Sequence, residues 1–236
     1  MQLQENAIQK YTETQLKRRR LKIKRMKKLF IGAAQELIRE DGIQSLSIRK
    51  LADLTGYGSA TLYSYFTDVD ELVIFASIKY RKEYLLELAR KIRPEMSILA
   101  QYRKLYEVFN NYSFSSPELF MNMYFGLHAE KIEAYFEEYY DLYPEEEPKL
   151  PEFLDNALKE RDLFRCDRIF ARRLAADGTI LPEHADLLSE LLVRLQQTFL
   201  YDFTIRPHVS IVEQNEKFLQ MFDHVIAMSS PPDLKD

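Results

Sequence analysis

An all-α protein is predicted by three features of the sequence. No proline occurs before Pro94, only six glycines interrupt the chain, and alternating β-branched runs are almost absent. Proline and glycine break helices, and period-two alternation marks a half-buried strand. Here the apolar residues recur at three- and four-residue spacing, which puts them on one face of a helix.

The elements follow in order. Met26, Leu29, Phe30, Ala33, Ala34, Leu37 and Ile38 form one stripe, so a helix is expected over 26–38. Gly42 stands where a left-handed C-cap is wanted. Ser47 reads as the next N-cap, with Leu46 and Leu51 as a hydrophobic staple; this helix runs to Thr55, and Gly56 breaks it. A short third helix covers 59–65. Asp68 and Glu71 have capping-box spacing and open a long fourth helix that ends before Pro94. Leu99, Tyr102, Leu105, Tyr106 and Phe109 make the next stripe. Ser116, Pro117 and Glu118 read as N-cap, first-position proline and first-turn acid. Further helices are expected over 117–126, 128–142, 152–161, 167–177, 183–206 and 209–228, with a solvated acidic loop at 143–151.

The 236 residues are 46% hydrophobic, enough for one large domain or two small ones. Net charge is −4, unevenly spread: residues 1–66 carry +7 and the rest −11. A basic head on an acidic body predicts two parts with different partners, 1–66 and 67–236. The single cysteine, Cys166, excludes an intramolecular disulfide and fits a reducing cytoplasm. No apolar run approaches the roughly 18 residues that span a membrane, and the N-terminus lacks an apolar leader, so a cytoplasmic protein without membrane contact is expected.

The stretch GYGSATLYSYF, residues 56–66, combines a turn, small residues and tyrosines. Two short helices around a glycine turn make a helix-turn-helix candidate. Gly58, Ser59 and Ala60 would let the backbone of a recognition helix approach the floor of a major groove. Tyrosine hydroxyls beside such a helix can reach phosphates. Leu62 and Phe66, four apart, would face inward. Upstream, QLKRRRLKIKRMKK holds nine basic residues between Lys17 and Lys28. Two readings stand for it: an arm that follows the phosphate backbone, with Lys24 and Lys28 nearest the helix-turn-helix, or a solvated helix start.

The segment from Leu29 to Leu72, above all LSIRKLADLTGYGSATLYSYFTDVDEL, resembles the DNA-binding domain of the TetR family of transcriptional regulators. The matching positions are Ser47, Leu51, Ala52, Gly56, Thr61, Leu62, Tyr63, Phe66 and Leu72. The resemblance implies a three-helix N-terminal DNA-binding domain followed by a helical ligand-binding and dimerisation domain. It implies that Ser47 caps its helix and touches a phosphate, that Ser59 and Ala60 face base edges, and that Ser64 reaches one. It implies phosphate contacts for Thr61, Tyr63 and Tyr65, with Tyr63 also near bases. Three positions depart from the pattern: Gly58 replaces a serine N-cap, Lys50 an acid, and Val69 a phosphate-facing lysine.

The resemblance also implies a double-stranded operator, a small-molecule effector and a homodimer. Tyr102, Tyr106, Phe109, Phe120, Met123, Tyr124 and His128 have the helical spacing of core residues, and they are also the candidates for an effector pocket suited to apolar or aromatic molecules. Leu188, Leu191, Leu195, Phe199, Phe218 and Phe222 lie on the apolar faces of the last two helices, which in the family form a four-helix dimer interface. Repression by ligand release is the implied mode, with control by a protein partner as the alternative. An enzyme is not expected, nor a cofactor or metal. The four histidines have no zinc spacing, Cys166 has no nucleophile signature, and Gly56-x-Gly58 lacks the strand and lysine of a phosphate loop.

Overall fold

The structure, a computed structural model, describes residues 2–232, with side chains described from residue 13 onward. It contains no strand among the described residues. In order, the helices are α1 (Gln2–Asp41), α2 (Ile48–Thr55), α3 (Ser59–Leu62), α4 (Val69–Lys91), α5 (Ile98–Ser115), α6 (Pro117–Phe125), α7 (Ile132–Leu142), α8 (Glu152–Leu158), α9 (Leu163–Ala176), α10 (Ala185–Ile205) and α11 (Ile211–Ser229). Two compact units are present, Met1–Ala76 and Ser77–Asp236.

Several elements differ from the sequence-based expectation. α1 is far longer than its apolar stripe, because the preceding lysine, arginine and glutamine residues are good helix formers and no glycine or proline interrupts them. Its buried face is rotated from the expected one: Lys27 and Ile31 belong to it, while Leu29 is exposed. Gly42 has φ 78° and ψ 170°, a positive φ but not a left-handed helical cap. Ser116 makes no side-chain cap bond, so Pro117 alone marks the start of α6. α8 ends at Leu158, and α9 starts at Leu163, earlier than expected, because the Asp162 carboxylate accepts the Arg165 N–H at 2.8 Å. The Asp68–Glu71 pair caps α4 as its spacing implies: Asp68 Oδ1 accepts the Glu71 N–H (2.8 Å) and Glu71 Oε2 accepts the Thr67 N–H (2.6 Å).

In the C-terminal unit the core is aromatic. Tyr102 stacks on Phe170 with centroids 5.5 Å apart, Tyr106 lies 4.9 Å from Phe218, and Phe114 stacks 4.6 Å from Phe203. A buried amide pair fixes the packing of α5 on α11, Asn110 Nδ2 donating to Asn215 Oδ1 at 2.9 Å. The same core buries a carboxyl group, Asp167, which accepts the Tyr106 hydroxyl. Burial raises its pKa from 3.8 to about 6, against the lowering effect of the hydrogen bond from Tyr106.

The native state therefore holds the Asp167 proton more tightly than the unfolded chain does. The stability this contributes is complete below the unfolded value and is lost as pH rises through the folded one. Asp167→Asn removes the ionisation and keeps an acceptor for Tyr106. Relative to wild type, it is expected to gain stability at neutral pH, at most about 3 kcal/mol, less as pH falls through the folded value, and nothing below the unfolded one. Thermal unfolding of both proteins across that range checks this; a difference independent of pH would overturn it.

Candidate nucleic-acid interface

The helix-turn-helix is built by local rules. Ser47 has extended φ/ψ, and its Oγ accepts the Lys50 N–H at 3.3 Å, which caps α2. Lys50 also pairs with Asp41 at 2.8 Å, joining the start of α2 to the end of α1. At the far end Gly56 adopts the left-handed conformation (φ 73°, ψ 11°) and its N–H donates to the Ala52 carbonyl at 2.9 Å. That conformation is free for glycine and strained for other residues, so the turn depends on Gly56. Thr55 Oγ1 donates to Leu51 and accepts the Tyr57 N–H (2.6 and 3.3 Å), which fixes the exit of the turn.

α3 is only four residues long, and Gly58 gives it no side-chain cap. The expected 59–65 helix stops at Leu62 because the following residues tighten into i→i−3 bonds, Ser64 N–H to Thr61 and Tyr65 N–H to Leu62. Ser64 Oγ also turns back to the Ala60 carbonyl at 2.9 Å, so its hydroxyl is engaged locally. Behind α3, Leu62 is 1% exposed, and Phe66 packs edge-on against Phe30 and Phe75. In front, Gly58, Ser59, Ala60, Tyr63 and Ser64 are exposed, Tyr63 at 47%. Thr61 and Tyr65 are half-buried, and the Tyr65 ring lies 6.4 Å from Phe30. Ser47 is exposed at the start of α2.

On α1, Lys28 is exposed and Lys24 half-buried. Lys27 is different: it is buried, with Nζ 5.1 Å from the Phe66 centroid and 4.9 Å from Phe75, so this member of the basic run serves the core through cation–π contacts. Tyr57 also stands exposed at the turn, with its ring 6.3 Å from Phe30. Sequence spacing did not single it out, although it directly follows the turn glycine.

The residues read as effector and dimer sites lie in the C-terminal unit. All seven effector candidates, Tyr102, Tyr106, Phe109, Phe120, Met123, Tyr124 and His128, are buried. The cavity of about 410 Å³ beside Arg81 and Tyr140 is lined by none of them. Of the six dimer candidates, Leu188, Phe199, Phe218 and Phe222 are buried within their own chain. They therefore have no surface to offer a second copy. The exposed apolar face of α10 and α11 is made by Leu187, Leu191, Met221 and Met228. Leu191, Leu195, Met221 and Val225 line a groove of about 460 Å³ on it. As for covalent chemistry, burial pushes the Cys166 thiol up to about 12, which leaves almost no thiolate at neutral pH.

A short helix with a packed back and a polar, aromatic front, set on a glycine turn, defines a helix-turn-helix DNA-binding unit. Residues 30–74 match the family model described as bacterial regulatory proteins, tetR family. Two solved structures are similar to the chain, and the first of them shares its fold. One, described as a TetR-family transcriptional regulator from Syntrophomonas wolfei str. Goettingen, has a TM-score of 0.54 at 13% identity, over 86% of this chain and 95% of that one. The other, described as a tetR family transcription regulator from Shewanella sp. PV-4, has a TM-score of 0.48 at 12% identity, over 85% and 95%. No curated protein matches the chain. Residues 30–74 therefore carry a DNA-binding domain similar to that of the TetR family of transcriptional regulators.

Two adjacent residues test the front and back of α3. Leu62→Ala is expected to cost about 2–5 kcal/mol through the cavity it leaves, and Tyr63→Ala within about 0.5 kcal/mol of nothing. Urea unfolding measures both. Equal effects would show that α3 does not present these two faces.

Proposed function

We propose that the protein is a cytoplasmic, homodimeric repressor that holds a pseudo-palindromic operator and lets it go on binding a small molecule. The observation that carries this reading is the two-sided α3, with Leu62 and Phe66 buried behind it and Ser59, Ala60, Tyr63 and Ser64 exposed in front. In this reading residues 1–66 contact DNA, and residues 67–236 bind the effector and dimerise. Ser59 and Ala60 face base edges. Their small size suits close approach to a major-groove floor. Tyr63 and Thr61 reach phosphates, as do Ser47 at the α2 cap and Lys24 and Lys28 on α1. Such contacts set register and affinity but carry no sequence information. The basic stretch of α1 adds a salt-dependent contribution to binding.

A short recognition helix reads few base pairs, so a two-fold dimer that places two copies in successive major grooves, about 34–36 Å apart, supplies the rest. The exposed face of α10 and α11 is the surface for it: Leu187, Leu191, Met221 and Met228 are exposed apolar residues along it, with half-buried Val225 between them. A ligand that binds the DNA-incompetent arrangement of the dimer better lowers operator affinity by that difference in binding.

Fluorescence anisotropy with DNA from upstream of the protein's own gene, against a scrambled duplex, tests the reading. Selective binding is expected, weakened roughly tenfold or more by Tyr63→Ala. Equal affinity for both duplexes, or no effect of Tyr63→Ala, would overturn the assignment of α3 as the reading helix. The dimer is tested separately. Leu191→Glu combined with Met221→Glu should convert a dimer to a folded monomer in analytical ultracentrifugation; a wild-type monomer, or an unchanged dimer in the variant, would sink the proposed face.

A further inference from the structure

The interior of the C-terminal unit holds a cation that no carboxylate pairs with among the described residues. Arg81, on α4, is 6% exposed. Its Nη2 donates to the Leu158 carbonyl at 2.8 Å, and its guanidinium lies 4.9 Å from the Phe136 ring centroid. The ionisable groups that face it are the Tyr84, Tyr124 and Tyr140 phenols and the Cys166 thiol. Burial raises all four above their ordinary values, the thiol to about 12, so none is an anion at neutral pH. A guanidinium does not shed its proton in a protein, and a buried charge without an opposite charge is strongly unfavourable. A carbonyl dipole and a ring face compensate it only in part.

Arg81 does not face a closed core. With Tyr140 and Arg161 it lines a cavity of about 410 Å³, within the size range of small-molecule sites. The Tyr140 hydroxyl is buried and has no hydrogen-bond partner among the described residues. Arg161 lies 5.2 Å from the Tyr140 ring centroid and 5.9 Å from that of Phe136, and pairs with Glu147 at 3.1 Å. Around the lining, Arg81, Lys149, Lys159 and Arg161 outnumber Glu147 and Asp155, a local net of +2 in a chain of net −4. Leu85, Leu150 and Leu158 give the cavity an apolar wall. Its rim is tied down: Lys82 Nζ donates to the Glu145 carbonyl at 3.1 Å, and the Tyr139 hydroxyl donates to Glu146.

We propose that this cavity binds a small organic anion, a carboxylate head on an apolar body, with the head held by Arg81, Arg161 and the Tyr140 hydroxyl. A planar guanidinium matches a carboxylate through paired N–H donors, and a protonated phenol adds a third. The apolar body lies along the leucine wall. The proposal names the chemical class of the effector and rests on the effector reading above.

Octanoate and benzoate are the probes, titrated into the full-length protein in the millimolar range and followed by thermal unfolding. Octan-1-ol, benzamide and sodium chloride at equal ionic strength are the controls. Both anions are expected to raise Tm where the neutral analogues and chloride do not. Tyr140→Phe and Arg161→Gln, which leave the Arg81–Leu158 bond in place, should each weaken octanoate roughly tenfold, the loss of one charge-assisted hydrogen bond. Anions no better than the controls, or variants that bind octanoate as wild type does, would overturn the proposal. Operator release is read in parallel by anisotropy. Octanoate that binds in this variant-sensitive way without releasing DNA supports the anion site and counts against ligand release. Release by a neutral aromatic, with no anion binding, does the reverse.

Discussion

Phe66 packs edge-on against Phe30 and Phe75, with ring centroids 6.4 and 5.7 Å away, and the Lys27 ammonium sits over two of the three rings. The surface proposed to read DNA depends on this cluster, because α3 has no stability of its own. Nucleating one helical turn fixes about six dihedrals for one hydrogen bond, and four residues add little to repay that cost. Gly58 contributes no side-chain cap to offset it. What keeps Ser59–Leu62 helical is tertiary: Leu62 and Phe66 are pinned from behind, and the left-handed turn at Gly56 delivers the chain at the right angle. The polar front is not needed for folding, which leaves it free for the DNA contacts proposed for it.

This division explains what the sequence made legible. Caps and turns are local, so Ser47, Gly56 and the Asp68–Glu71 pair could be placed from spacing alone, and the structure has them in those roles. The inward pair Leu62 and Phe66 followed from four-residue spacing. Where the reading slipped, the cause was a neighbour that spacing does not reveal. Periodicity said that α1 has an apolar face but not how far that face turns. The basic run reads as a phosphate-following arm or a solvated helix start, yet the long apolar stem of Lys27 and the two rings beneath it draw this residue into the core. On α10 and α11 every turn offers an apolar residue to each of two sides. Spacing could not say that Leu188 and Phe222 face their own chain while Leu187 and Met221 face out.

The least legible part is the interior of the C-terminal unit. Arg81 lies in a helix with ordinary neighbours in sequence, Tyr80 and Lys82, and nothing there signals that its guanidinium points inward. Tyr140 sits in a run of acids and aromatics that reads as a solvated face on one side and core on the other. Only the fold brings Arg81, Tyr140 and Arg161, from separate parts of the chain, to one cavity.

The two buried ionisable groups of that interior show why the cavity matters. Asp167 meets a low-dielectric core by holding its proton, and the rise of its pKa to about 6 records the adjustment. The acid thus reduces its own burial cost wherever the pH allows. Arg81 has no such route, because a guanidinium stays charged whatever surrounds it. The phenols beside it do not help, since burial keeps them protonated. Of the remedies open to a buried cation, an ion pair within the chain is not used among the described residues, and a carbonyl with a ring face is incomplete compensation. What remains is an opposite charge from outside, and Arg81 lines an opening large enough to admit one.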